Sequence, residues 1–334
     1  MVEWDSVGEQ TIQHLVNLVR IDTSNPPGNE TKAATYLQSA LASEGIDTEL
    51  YALDPERANL VARIKGNGDK RPILIMAHTD VVGVQRDRWT EDPFGAVRKD
   101  GYIYGRGTLD DKDNVTAGLM VMLMLKRHGV ELDRDVIFLA EAGEEGTPQV
   151  GISFMVENHW DVIDAEFCLA ELGGGILEDG VVKTISIQAA EKVARRATLV
   201  ARGTAGHGSM PLQDNAVALL ANAVSKAAAW KTDVRLNDIT GMYFDRLADI
   251  SEPEDAWRYR NIGNADEADA IQEHLAETSP YHYSVLRTSV VPTIMDAGFR
   301  NNVIPSEATA VLDIRMLPDE DVDLFYQTLA EVID

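Results

Sequence analysis

Apolar runs along this chain end repeatedly in acids. Ile73-Leu74-Ile75-Met76-Ala77 is bounded by Lys70-Arg71-Pro72 upstream and by His78-Thr79-Asp80 downstream, the pattern of a strand buried on both faces. Residues 135–140 repeat the design and feed Glu141-Ala142-Gly143-Glu144-Glu145-Gly146, and residues 166–170 feed Glu171-Leu172-Gly173-Gly174. Helical spacing of Val7, Ile12, Leu15, Val16, Leu18 and Val19 predicts a helix over 6–20, and a second is predicted over 30–44 with Gly45 as its stop. Strands are predicted at 47–53 and 59–65, and Lys99-Asp100-Gly101 reads as a hairpin turn. The segment 114–127 is apolar nearly all round and should be a buried helix, with Met120, Met122 and Met124 in the core. Alternating strands and helices predict an α/β sheet, whose ligands bind beyond the carboxyl ends of the strands.

After Gly180 the rhythm changes. Strands are predicted at 181–189 and 194–202, then a glycine-rich loop through Gly206-His207-Gly208 and a helix over 215–230. The polar stretch 231–284 yields only one helix, at 266–277. Strands at 285–296 and 307–316 and a last helix after Pro318 complete a strand–helix–strand–strand–helix order that lacks its final strand. The chain end at Asp334 accordingly reads as a truncation.

Composition narrows the chemistry. The 334 residues carry 55 acidic against 30 basic side chains, a formal charge of −25, which disfavours nucleic acid and anionic membrane as partners. The beginning of the chain shows no secretory pattern and no apolar run spans a bilayer, so a cytoplasmic protein is expected. Cys168 is the single cysteine, which excludes an intrachain disulfide and a thiolate cage for zinc. Any metal must be held by imidazole and carboxylate.

His78, Asp110, Glu145 and Glu171 each lie just past a predicted strand or at a helix start, so they could converge at one edge of the sheet. Two metals roughly 3.5–4 Å apart could share a bridging carboxylate there. Asp80, two residues from His78, suits a partner that orients the imidazole. Glu144, beside a proposed ligand without being one, suits the general base that takes a proton from the attacking water and passes it to the leaving amine.

Five ordered segments carry a resemblance: His78-Thr79-Asp80, Gly105-Arg106-Gly107-Thr108-Leu109-Asp110-Asp111-Lys112, Gly143-Glu144-Glu145-Gly146, Glu171-Leu172-Gly173-Gly174 and Gly206-His207-Gly208-Ser209-Met210-Pro211. Together they resemble the dinuclear-zinc family of acetylornithine deacetylase, succinyl-diaminopimelate desuccinylase, aminoacylase and glutamate carboxypeptidase. The resemblance implies a mixed-sheet zinc-exopeptidase catalytic domain over 1–191. It also implies a smaller inserted α+β, ferredoxin-like lid and dimerisation domain over 192–334. It puts His78 with Glu145 on one zinc, Glu171 on the other and Asp110 between them, with Co²⁺ or Mn²⁺ as possible substitutes, and implies a cis Asp110–Asp111 peptide. His207 would reach the active site of a partner subunit in a homodimer and donate to the developing oxyanion. Asn302 and Arg315 would bind substrate, Arg315 by its carboxylate. The chain departs from the family in having Asp113 for a usual glycine and no histidine within 318–334, where the last metal ligand is expected. The second metal site therefore reads as incomplete.

Blander readings stand beside these. Asp110-Asp111 could cap the helix that follows, His207 could be an exposed turn residue, and Arg315 could pair with a neighbouring acid. Gly173-Gly174-Gly175 reads as a turn, and His14, His128, His159, His274 and His282 as surface residues. The leading functional expectation is a zinc-dependent hydrolase of amide bonds in small peptides or N-acyl amino acids with a free carboxylate, nearest the carboxypeptidase and aminoacylase branches. The alternatives are an acetylornithine-type deacetylase and a binding or regulatory protein that kept the fold without turnover.

Overall fold

The computed structural model describes residues 2–171 and 173–334; Leu172, part of one of the five segments, lies outside the described residues. Two compact units succeed each other, Met1–Gly173 and Gly174–Asp334.

In the first unit the elements are α1 (Trp4–Val19), β1 (Ser24–Asn25), α2 (Glu30–Ala42), β2 (Thr48–Tyr51), β3 (Asn59–Ile64), β4 (Ile73–His78), β5 (Val81–Val82), β6 (Val97–Lys99), β7 (Tyr102–Tyr104), α3 (Lys112–Arg127), β8 (Val136–Glu141), α4 (Ile152–Asn158), α5 (Trp160–Ile163) and β9 (Phe167–Leu169). The main sheet has the order β2-β3-β8-β4-β9. It is mixed: β4 runs parallel to β8 and β9, while β3 opposes β8 and β2 opposes β3. Every residue of β8 is buried. Side chains alternate across a strand, so Phe138 and Ala140 pack with Leu18, Leu37, Leu119 and Met122 from α1, α2 and α3, while Ile137 and Leu139 pack with Met155 and Ile163 from α4 and α5. Both faces are covered, which is why these strands read as unbroken apolar runs. The helix α3 is less enclosed than its sequence predicts: Met120 and Met122 are buried, but Val121 faces solvent.

The second unit contains β10 (Gly174–Glu178), β11 (Val181–Ser186), β12 (Val193–Arg202), β13 (Gly206–His207), α6 (Ala216–Ala229), α7 (Asp238–Ala248), α8 (Pro253–Asn261), α9 (Ala268–Thr278), α10 (Pro280–Val285), β14 (Ser289–Ala297), β15 (Val303–Ile304), β16 (Glu307–Met316) and α11 (Val322–Ile333). Gly174 and Gly175 do not form the predicted turn; they belong to β10, which pairs antiparallel with β11. The strands β12, β16 and β14 make an antiparallel sheet with β16 central. Alternate residues of β16, Ala308, Ala310, Leu312, Ile314 and Met316, are buried against residues of α6 and α11. The polar stretch holds four helices, α7 to α10, where the sequence predicts one; α10 ends on Val285, the first residue of a predicted strand that in fact begins at Ser289. Their shared core is Phe244, Ile262, Ile271, Leu275 and Leu286. Of the five histidines read as surface residues His128 is exposed and the other four are partly buried; His159 packs on Tyr51 and Phe154, and His282 sits among Tyr243, Phe244 and Tyr259.

Candidate metal centre

His78 ends β4 with only 2% of its surface exposed. Its Nδ1 faces the Asp80 carbonyl at 3.1 Å and the Asp80 carboxylate at 3.4 Å. With acceptors there, the ring proton belongs on Nδ1, leaving the Nε2 lone pair as a donor toward a cation. Nε2 in turn lies 3.0 Å from Asp110 Oδ1, 3.4 Å from Glu171 Oε2 and 3.9 Å from Glu144 Oε2. Ligating atoms of His78, Asp110 and Glu171 all fall within 4.8 Å of one another. The resemblance pairs His78 with Glu145, whereas the residue placed beside the His78 ring is Glu171: β4 and β9 are parallel neighbours, and their carboxyl ends bring the two together. Glu145 stands close enough to Asp110 for its carboxyl, already raised by burial, to be raised further by that like charge.

Asp80 is completely buried and organises the turn that carries the two glutamates. Its Oδ1 accepts the main-chain N–H of Glu144 and its Oδ2 that of Glu145, each at 3.1 Å, and Oδ2 also accepts from Asn25 Nδ2 at 2.8 Å. Burial opposes the charged form, but these bonds and His78 win, holding the Asp80 carboxyl below its ordinary value. The turn closes through Thr147 N–H on the Gly143 carbonyl at 2.8 Å. Gly143 has φ +77°, and a Cβ there would overlap the Thr147 carbonyl, so the turn requires glycine.

The Asp110–Asp111 peptide is cis. Asp111 is the N-cap residue of α3, yet its carboxylate makes no capping bond to the helix; it accepts the His78 main-chain N–H at 3.0 Å and Asn114 Nδ2 at 2.5 Å. It therefore fixes the end of β4, a role the sequence does not reveal. Lys112, fully buried, donates to the carbonyls of Leu18, in the last turn of α1, and Ile21, just beyond it, at 3.1 and 2.7 Å, and burial pulls its ammonium down to about 8. Sequence reasoning does not single out Glu141 either: it stands opposite His78 across the β4–β8 ladder, burial pushes its carboxyl up to about 7, and its Oε2 has no hydrogen-bond partner among the described residues.

The donor set fits a divalent cation. One imidazole nitrogen and several carboxylates meet without a lysine or arginine among them, and burial followed by like charge raises both Glu145 and Glu171. Such a cluster is costly unless a cation balances it. Oxygen and nitrogen donors of this kind suit zinc or a similar metal rather than a thiolate-selected one.

The other predicted site residues belong to the second unit. The strand β13 pairs with β15, setting His207 against Val303, and Gly208 N–H donates to the Asn302 carbonyl at 2.9 Å, so His207 and Asn302 are brought together. His207 Nδ1 meets Ser209 Oγ at 2.8 Å and the residue is exposed. Arg315 lies near the far end of β16, roughly 25 Å along the strand from Glu307 by the usual rise per residue, and its guanidinium forks onto Asp313 at 2.8 and 3.3 Å.

The fold and this donor set define a metal-dependent hydrolase with a mixed α/β architecture. The chain belongs to peptidase family M20/M25/M40, whose profile matches residues 74–323. It is 28% identical over 335 residues to a probable succinyl-diaminopimelate desuccinylase of Staphylococcus epidermidis, covering 97% of this chain and 73% of that one. To a probable carboxypeptidase S-like 2 of Dictyostelium discoideum it is 33% identical over 288 residues, 83% of this chain and 54% of the relative. Among solved structures, the M20 family metallo-carboxypeptidase Sso-CP2 of Sulfolobus solfataricus shares the fold with a TM-score of 0.69 at 20% identity, over 100% of this chain and 75% of the other. No helix among the described residues is long and apolar enough to cross a membrane.

Proposed function

We propose that this chain hydrolyses amide bonds in small peptides or N-acyl amino acids that carry a free carboxylate, with zinc as its metal. The names of the relatives, a desuccinylase and a carboxypeptidase, favour such substrates. In this reading His78, Asp110 and Glu171 hold one zinc, and Asp110 and Glu145 contribute to a second. When bound, the metal polarises a water and the scissile carbonyl. Glu144 takes the proton from the water and delivers it to the leaving nitrogen, while Asp80 keeps the His78 imidazole in its donor tautomer. Residues 1–191 act as the catalytic domain and 192–334 as a lid through which two chains associate. His207 and Asn302 approach substrate from the lid, His207 in the partner's site, with donation to the developing oxyanion as its task. Arg315, whose guanidinium also forks onto Asp313, would bind the substrate carboxylate.

The observation that carries this reading is the placement of Glu144. Its carboxylate is half exposed and 3.9 Å from His78 Nε2, beside the donor cluster of His78, Asp110 and Glu171 without belonging to it, while its main chain is anchored on Asp80. That arrangement leaves the carboxylate free to exchange protons. Glu144→Gln should keep the zinc content of the parent and lose about 10²–10⁴-fold in kcat, as expected for removal of a general base. Zinc analysis and turnover of a panel of N-acyl amino acids and dipeptides test it. Loss of metal from a folded Gln variant would exchange the roles of Glu144 and Glu145, and no turnover by zinc-loaded parent across the panel would overturn the reading.

A further inference from the structure

Behind the turn that bears Glu144 and Glu145 lies a chain of polar side chains running away from the cluster. Asn25, 5% exposed, is set beside Val82 by the short parallel pairing of β1 with β5. Both protons of its amide are spent: Nδ2 donates to Asp80 Oδ2 at 2.8 Å and to Thr147 Oγ1 at 2.9 Å. Because an ionised carboxylate only accepts, the amide cannot be turned the other way. Thr147 Oγ1 receives a second donor, Arg57 Nη1, at 2.8 Å. Both acceptor positions of that hydroxyl are filled, so its rotamer is fixed from two directions.

Arg57 is itself buried, 6% exposed, and would be costly there alone. Glu30, fully buried in the first turn of α2, answers it with a bidentate pair: Nη2 to Oε1 at 2.5 Å and Nε to Oε2 at 3.0 Å. Gly28, at φ +84°, leaves the space; a Cβ on it would overlap the Arg57 guanidinium. The ion pair, the hydroxyl and the amide are thus joined without a break to Asp80, whose two oxygens hold the main-chain N–H groups of Glu144 and Glu145. The turn is gripped at its beginning by Asp80 and at its end by Thr147.

We infer that Asn25, Thr147 and Arg57, with Glu30 as counter-ion, form a positioning relay that sets the turn of Glu144 and Glu145 against His78. None of the four touches substrate; each acts through Asp80 or through the turn. The inference rests on the reading of Glu144 as the general base, and adds that the reach of this base is determined from a buried ion pair on the far side of the turn. Loosening the relay should leave substrate binding intact and reduce the fraction of time the carboxylate spends at the reacting water.

The test compares Thr147→Val, which removes the acceptor at nearly constant shape, with Thr147→Ser, which keeps it, in the full chain. With zinc, the Val variant should lose about 10–100-fold in kcat at unchanged KM, and the Ser variant should hold the parent value. Amide hydrogen exchange on the same proteins, with zinc removed by chelation, should be faster at Glu144 and Glu145 in the Val variant than in parent and Ser variant. Thr147→Ala serves the same comparison should valine prevent folding. Unchanged kcat with unchanged exchange in the Val or Ala variant overturns the relay, as does a Ser variant impaired as much as the Val variant. If the parent itself turns nothing over, the catalytic reading falls, and exchange alone decides the relay: faster exchange upholds it, equal exchange overturns it.

Discussion

His78 answers two opposed demands. Burial alone would lower its pKa, but the hydrogen bond to Asp80 and the charges of Asp111, Asp80 and Glu144 raise it to about 10. A folded value above the ordinary one means that the imidazolium stabilises the metal-free fold fully below about pH 6.5, and that this contribution is lost as pH rises through about 10. A proton and a divalent cation compete for the same Nε2. Zinc affinity, followed by chelator competition, should therefore rise about tenfold per unit between roughly pH 7.5 and 9, as one proton is displaced. A flat profile would mean that His78 is neutral before the metal arrives. The sequence makes His78, Asp80, Asp110, Glu145 and Glu171 visible because each follows an apolar run that could only be a buried strand, or opens a helix. It does not make Glu30 or Arg57 visible: a lone charge in a polar segment looks like solvated surface until its partner, 27 residues away, is brought into the same buried place.

At the scale of the elements, α3, which opens just after Asp110, packs on both β4 and β8. Gly118 provides the approach, for a Cβ there would overlap the ring of Phe138, itself completely buried. Gly118→Ala should gain up to about 1 kcal/mol of helix propensity yet lose roughly 1–3 kcal/mol to overpacking, so urea unfolding is expected to show net destabilisation. A more stable variant would show that the ring can yield. The strands of the first unit were legible because burial on both faces leaves apolar runs that no surface segment would keep. The helices α7, α8 and α10 were not. Their core draws Phe244 from one, Ile262 from a helix end and Leu286 from beyond another, so no single segment shows a full apolar stripe; α8, Pro253–Asn261, buries only Ala256. What marks them is local: the Asn237 and Thr240 capping box and prolines at the first turns of α8 and α10.

For the molecule as a whole, the lid reading can be tested by mixing two damaged proteins. Glu144→Gln has a sound His207 and a disabled base; His207→Ala has the reverse. If His207 serves the partner's site, dimers exchanged between the two contain one repaired site. An equal mixture should then recover roughly a quarter of parental activity, from one repaired site in half of the dimers. Mixtures no more active than the sum of their components would place His207 in its own chain's service or outside the reaction, and light scattering would report whether dimers had formed at all. The cation cluster also has a mechanical meaning. His78 and Asp110 are 32 residues apart and Glu171 lies further on, past β9, so a bound ion is a cross-link closing two long loops of the chain. An unfolded chain cannot keep that cross-link without gathering all three donors. Melting temperature should fall on chelation and rise with the logarithm of free zinc above its dissociation constant, an effect absent from His78→Ala. A shift unaffected by that substitution would assign the cross-link to other donors; with the dependence as expected, the sheet edge is a clasp, and the fold's persistence at a given temperature becomes a measure of the zinc around it.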